Sequence, residues 1–169
     1  DACLWIGDVG ITGINAVADI LAGNVNPSGS LVDTYCYDNY SSPAMANFTP
    51  MIYEGYSEEL IPEKAKSYMV YQEGIYVGYK YYETASDDGV INYEDVVKYP
   101  FGYGLSYTTF EQKMNDFSDN GDNVTFNVTV TNTGDVAGKD VVEVYFTPPY
   151  TNGGIEKASV NLIDLCKNR

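Results

Sequence analysis

Histidine is absent from the sequence, and only nine of its 169 residues are lysine or arginine, against 24 aspartates and glutamates. Without an imidazole, the Ser-His-Asp and Cys-His nucleophile pairs are excluded, as are the usual histidine-based zinc sites. Carboxylates dominate the chemistry that remains. The formal charge of −15 would repel a phosphate backbone or an anionic lipid surface, so neither nucleic acid nor a membrane is an expected partner. No apolar run approaches the roughly 20 residues that cross a bilayer. Cysteine is scarce as well: Cys3, Cys36 and Cys166 are odd in number and widely spaced, which predicts three free thiols rather than a CxxC metal knuckle or a disulfide framework. No metal site and no cofactor are expected. The chain opens on Asp1 with no basic stretch and apolar run behind it, as an interior cut would, so a leader is expected to be absent or already removed.

What is present suits a soluble globular protein. Hydrophobic residues make up 44% of the chain, and its length allows one ordinary domain or two small ones. Residues 2–6 form a short apolar run that ends at Gly7, Gly10 and Gly13, the pattern of a buried strand leading into a loop. With Thr12 as N-cap, Ile14, Val17, Ala18 and Leu21 recur at i, i+3, i+4 and i+7, and Gly23 stands where a left-handed cap ends a helix. Asn26-Pro27-Ser28-Gly29 suits a type I turn, and residues 31–35 then read as extended. Together these predict a strand-helix-strand unit of a layered α/β domain.

Residues 37–68 are polar and aromatic with little period, apart from a short helix expected over 57–66. In "YQEGIYVGYKYYE" residues 71–82 alternate as a strand would, with Tyr71, Glu73, Ile75, Val77, Tyr79 and Tyr81 on one side. A turn is expected at residues 87–89, followed by the glycine-punctuated "YPFGYGLSYTTF". Beyond Phe110 the character changes: Val124, Phe126, Val128 and Val130 alternate with Thr125, Asn127, Thr129 and Thr131, a strand with one face covered and one in water. "DVVEVYFT" gives another strand, and a β-sandwich is the simplest home for both.

Each candidate for chemistry has a plainer structural reading beside it. The G-x-x-G-x-x-G of Gly7, Gly10 and Gly13 fits neither phosphate-binding glycine pattern and has no lysine nearby, so a strand-to-helix turn is the better reading. Glu73 has the carboxylate that sugar hydrolysis needs, but a glutamate beside glycine in an exposed turn is ordinarily structural. The 17 tyrosines could stack on the C–H face of a pyranose, yet ring packing with a hydrogen-bonded hydroxyl needs no ligand. Asn39, Asn47, Asn123 and Asn127 head Asn-x-Ser/Thr sequons, which are common by chance, and they are read as unmodified.

Taken in order, five segments resemble the C-terminal half of glycoside hydrolase family 3, the β-glucosidase and β-xylosidase family. "GINAVADILAGNVNPSG" is similar to the family's G-x-x-A-x-A-D-x-L-x-G-x-x-N-P-S-G, "EGIYVGYKYY" to E-G-I-Y-V-G-Y-R-Y-Y, and "YPFGYGLSYTTF" to F-P-F-G-Y-G-L-S-Y-T-x-F. "VTVTNTGDVAGKDVVEVYF" and "GGIEK" resemble its fibronectin-III-like domain. The chain departs from the family after the Asn-Pro-Ser-Gly turn, where Ser30 to Tyr35 replace the usual basic residue and Leu-Pro, and at Thr12, where the family often has an acidic residue.

The resemblance implies an enzyme of three parts: a (β/α)₈-type barrel, an α/β/α sandwich and a fibronectin-III-like β-sandwich. The fold class expected here is therefore α/β plus all-β. Residues 1–36 would be the strand-helix-strand end of the sandwich, residues 37–110 an aromatic-rich connecting segment packed on it, and residues 111–169 a fibronectin-III/immunoglobulin-like β-sandwich. That last stretch is well short of the about 100 residues of a seven-stranded sandwich and reads as truncated. The resemblance places the nucleophilic aspartate on the barrel and the acid/base carboxylate upstream in the sandwich, so no residue here is assigned as catalytic, metal-binding or ligand-binding. The implied function is part of a retaining, exo-acting glycosidase that cleaves terminal β-linked sugars, partnered by a β-linked oligosaccharide or glucoside and by the remaining barrel and sandwich segments. The alternative is a non-catalytic carbohydrate-binding or protein-interaction module. Secretion, the cell surface and a bacterial cytoplasm all remain open from these residues.

Overall fold

The structure is a computed structural model that describes residues 2–54 and 67–168; the helix expected over 57–66 lies outside the described residues. The chain divides into two compact units, one formed by Asp1–Ser30, Gly104–Glu143 and Asp164–Arg169, the other by Leu31–Tyr103 and Val144–Ile163.

In the first unit the apolar period produces the helix expected of it, α1 (Ile14–Leu21). It ends in a Schellman motif: Gly23, at φ +75°, donates to the Ile20 carbonyl at 3.0 Å, and Asn24 donates to Asp19 at 2.9 Å. At the other end the N-cap is Gly13 rather than Thr12, with no side-chain cap. Gly13 donates to the Val9 carbonyl at 3.1 Å and comes so close to it that any Cβ there would overlap the oxygen, so glycine is required just before the helix. The expected strand over residues 2–6 does not form. A strand is made by a neighbour that takes its N–H and C=O groups, and among the described residues no strand pairs with this run.

The alternation after Phe110 does become a hairpin. Strand β5 (Phe110–Asp119) pairs antiparallel with β6 (Val124–Asn132), from Phe110 opposite Asn132 to Asp119 opposite Val124. Phe126, Val128 and Val130 are half-buried while Thr125, Asn127, Thr129 and Thr131 are exposed, as a one-sided strand requires. The ladder is interrupted between Asn115 and Ser118, where Asp116 takes φ +52° and its carboxylate accepts the Asn127 side-chain amide at 2.9 Å. Aspartate tolerates this left-handed conformation better than most residues, and the amide helps hold it there.

Asn26 joins the segments of this unit. Its Oδ1 accepts the Tyr107 backbone N–H at 2.8 Å and the Ser106 hydroxyl at 3.0 Å, while its Nδ2 donates to the Ala137 carbonyl at 3.0 Å. Beside it the Tyr107 hydroxyl donates to the Ile20 carbonyl at 2.9 Å, and the buried Thr108 hydroxyl donates to Asn132 at 2.7 Å. Gly138 lies against Asn26, Thr108 and Phe110 so closely that a Cβ would meet Asn26 Nδ2 at 2.6 Å.

In the second unit, residues 31–35 are extended only at their end. Strand β1 (Tyr35–Cys36) pairs antiparallel with β4 (Val97–Tyr99), and Leu31 exchanges two backbone hydrogen bonds of 2.8 Å with Gly102 and Tyr103. The short helix α2 (Pro43–Ala46) follows β1, and a second small ladder pairs β2 (Met51–Ile52) with β3 (Ser67–Tyr68). The strand expected over residues 71–82 is corrected. Gly74 and Gly78 take φ +56° and +58°, a turn closes from Glu73 to Tyr76 at 2.9 Å, and the chain enters helix α3 (Tyr79–Asp87). Glycines read as strand positions are instead the left-handed points where the chain reverses. Once helical, the face that matters is Tyr79, Tyr82 and Ala85: Tyr82 is 2% exposed, and the Tyr79 ring lies 5.2 Å from that of Phe101 and 6.0 Å from that of Tyr145. Helix α3 ends by the same device as α1, at Gly89 with φ +70°, within the turn expected at residues 87–89.

Among the described residues, the buried hydrophobic side chains are Tyr82, Ala85, Val97 and Ala158. By contrast Trp5 is 75% exposed, Ile11 98% and Leu21 73%. Strands β7 (Val141–Phe146) and β8 (Asn161–Lys167) pair with each other, as the expected strand at "DVVEVYFT" requires. So much apolar surface left in water predicts that the isolated polypeptide melts without a cooperative monomeric transition and binds a hydrophobic dye; a sharp two-state melt of a monomer refutes this. In the full-length protein, Asn26→Ala should cost about 2 kcal/mol in a denaturant titration, because it removes three hydrogen bonds at once, the one from the Ser106 hydroxyl part-buried.

Candidate functional site

The glycine loop that precedes α1 holds no cradle of converging donors. Gly7 and Gly10 take φ +57° and +62° with open space around them, and the Gly10 N–H faces the Asp8 carboxylate at 3.4 Å, an acidic lining that disfavours phosphate. The loop is the strand-free turn into the helix. Glu73 opens the turn that Gly74 completes, and its side chain does not line the cavity described next.

The tyrosines divide between two roles. Tyr79 and Tyr82 are packing residues: the Tyr79 hydroxyl accepts the Leu162 N–H at 2.9 Å, and the Tyr82 hydroxyl lies 3.2 Å from that of Ser41. Tyr76, Tyr81 and Tyr150 instead line an open cavity of about 740 Å³ in the second unit, between α3 and the 147–159 loop. Its floor contains the two buried alanines, Ala85 and Ala158. Two hydrogen bonds clamp the two sides: Tyr76 donates from its hydroxyl to Glu156 at 2.5 Å, and the Ser159 N–H donates to Thr84 Oγ1 at 2.9 Å; within the 147–159 loop, Lys157 Nζ reaches the Pro149 carbonyl at 2.6 Å. Asp88 adds a second carboxylate, and the Ser159 hydroxyl, shut off from solvent, has no partner among the described residues.

The hydrogen bond to Glu156, with smaller contributions from desolvation and the same carboxylate's charge, pushes the Tyr76 phenol up to about 12. Burial, followed by the neighbouring Cys36, pushes Tyr82 up to about 12 against the opposing effect of Ser41. Burial and the Glu83 carboxylate raise Tyr93 as well.

Sequence reasoning did not bring Asp88, Tyr150 and Glu156 to one place, because no motif of fixed spacing links α3 to a loop some seventy residues on. The nearest signal was the "GGIEK" segment, which contains Glu156 and Lys157. Among the described residues there is no cluster of three or more metal-ligating side chains, and no helix is long and apolar enough to cross a membrane.

No family model matches the chain. It is, however, 39% identical over 160 residues to β-glucosidase A of Butyrivibrio fibrisolvens, covering 86% of this chain and 17% of that protein. It is 40% identical over 134 residues to a β-glucosidase of Kluyveromyces marxianus, covering 79% of this chain and 13% of the relative. The solved structure of β-glucosidase 3B from Thermotoga neapolitana in complex with glucose superposes with a TM-score of 0.72 at 37% identity, over 94% of this chain and 19% of that one. The family 3 β-glucosidase of Bifidobacterium adolescentis superposes with a TM-score of 0.70 at 32% identity, over 92% of this chain and 20% of that one. The chain belongs to glycoside hydrolase family 3. It spans less than a fifth of the length of the curated relatives it matches.

With that membership the expected fold class stands: the remainder of a layered α/β/α sandwich followed by an incomplete fibronectin-III-like β-sandwich. The motifs that carried the resemblance have physical roles in this family 3 chain. The asparagine of "NPSG" is the hub Asn26, the glycines of "EGIYVGY" are the reversal points Gly74 and Gly78, and "GLSYTTF" brings Ser106 and Tyr107 onto Asn26.

The raised phenols set a stability trend at high pH. A tyrosine ionises near 10 in the unfolded chain but near 12 at Tyr76 and Tyr82. Between these values the unfolded state sheds a proton that the folded state keeps, so stability present below pH 10 is lost as pH rises towards 12. Thermal melts of the full-length protein across that window should decline, and Tyr82→Phe should flatten the decline; an unchanged slope would argue against the raised values.

Proposed function

We propose that this chain is part of a retaining, exo-acting β-glucosidase that removes terminal non-reducing β-linked sugars, and that it supplies structure and domain interfaces while the catalytic carboxylates lie elsewhere in the enzyme. The observation that carries this reading is the match to β-glucosidases across 79–86% of this chain but only 13–17% of theirs. The Thermotoga relative was solved with glucose, the sugar that an exo-acting glucosidase releases.

The described carboxylates support a non-catalytic role. A retaining glycosidase needs one carboxyl held protonated in an apolar pocket, about 5–5.5 Å from an ionised partner. Asp88 and Glu156 share a cavity, but both are exposed to water, and Glu156 is committed to the Tyr76 hydroxyl. In this reading residues 1–36 end the α/β/α sandwich, residues 37–110 pack upon it, and residues 111–169 begin the fibronectin-III-like sandwich. The exposed apolar side chains of residues 4–21 would then meet the remaining sandwich segments of the same enzyme.

The intact enzyme should hydrolyse nitrophenyl β-glucoside and release β-glucose first, as nuclear magnetic resonance of the initial product reads directly. The 169-residue chain alone should show no turnover above a buffer control. Activity in the chain alone, or initial release of α-glucose by the intact enzyme, contradicts the proposal.

A further inference from the structure

We propose that the cavity between α3 and the 147–159 loop is a saccharide-binding site separate from catalysis, taking a neutral β-linked gluco-oligosaccharide; the identity of the sugar rests on the function proposed above.

The cavity has a size and lining suited to such a ligand. About 740 Å³ lies within the roughly 300–1,000 Å³ typical of ligand pockets, and the clamps across it make it pre-formed. Tyr150 stands at its rim, 58% exposed and without the packing that accounts for Tyr79 and Tyr82. An exposed ring beside a cleft offers a flat apolar surface to the C–H face of a pyranose while its hydroxyl stays in water. The polar groups favour a polyol over an ion. Asp88 and Glu156 repel anions, and the one ammonium on the wall, Lys157, is bonded to the Pro149 carbonyl. Carboxylates accept hydrogen bonds from neighbouring sugar hydroxyls, and charge-assisted bonds of this kind are the stronger ones.

The test uses the full-length enzyme that contains this chain, with its catalytic centre saturated by 1-deoxynojirimycin. Calorimetric titration with methyl thiocellobioside, whose sulfur linkage resists hydrolysis, should then still show saturable binding. Tyr150→Ala should weaken that binding about tenfold, as truncation of an aromatic anchor does. Glu156→Gln, which keeps the shape and can still accept from Tyr76, should weaken it too, and both variants should hydrolyse nitrophenyl β-glucoside as the unmodified enzyme does. The proposal is overturned if no binding survives the inhibitor, as when another part of the enzyme covers the cavity, or if the surviving binding has the same affinity in both variants. Binding that depends on Tyr150 in a protein without glucosidase turnover upholds this site and refutes the catalytic reading instead.

Discussion

Everything in the first unit depends on satisfying a single side-chain amide. Asn26 is too short to reach across a domain, so its three partners must come to it: the segment before β5 through Ser106 and Tyr107, and the turn after β6 through Ala137. An amide has one face that accepts and one that donates, and both are used, which fixes the orientation of the group as well as its position. Aspartate would lose the donor, and serine would lose the reach. Gly138 follows from the same constraint, since only a residue without a side chain lets its turn approach the amide so closely.

The second unit is organised by helix burial. Tyr82, Ala85, Val97 and Ala158 exclude water around α3, and Tyr79 of its first turn extends that packing to Phe101 and Tyr145. The core is small for the length of chain, and small cores bury too little apolar area to offset the entropy of ordering the backbone. In the first unit, Trp5, Ile11 and Leu21 stand exposed, and under the function proposed above they form one side of an interface. The relatives are many times longer than the stretch they share with this chain.

What the sequence reveals depends on how local the cause is. Helix α1 and strand β6 were readable because their periods, 3.6 and 2, are written in adjacent residues, and Gly23 and Gly89 mark helix ends through a conformation only glycine adopts easily. The run at residues 2–6 has the composition of a strand, but a strand also needs a neighbour. The stretch at residues 71–82 misled in another way: alternating tyrosines suit a strand, and the left-handed glycines that turn it into a loop and helix look the same in sequence as glycines within a strand. The tyrosine-walled cavity was invisible for a third reason. Its carboxylates, Asp88 and Glu156, meet only after the chain has folded back between them.

The order of the segments also bears on how the protein is made. The first unit is assembled from Asp1–Ser30, Gly104–Glu143 and Asp164–Arg169, with Leu31–Tyr103 of the other unit lying between its first two pieces. On the ribosome, α1 therefore emerges with its hub asparagine unsatisfied and must wait for more than a hundred further residues before Ala137 arrives. Pairings of such long sequence separation are slow to form and leave apolar surface open in the meantime. During synthesis, this unit therefore stays open longer than a segment whose contacts are all local.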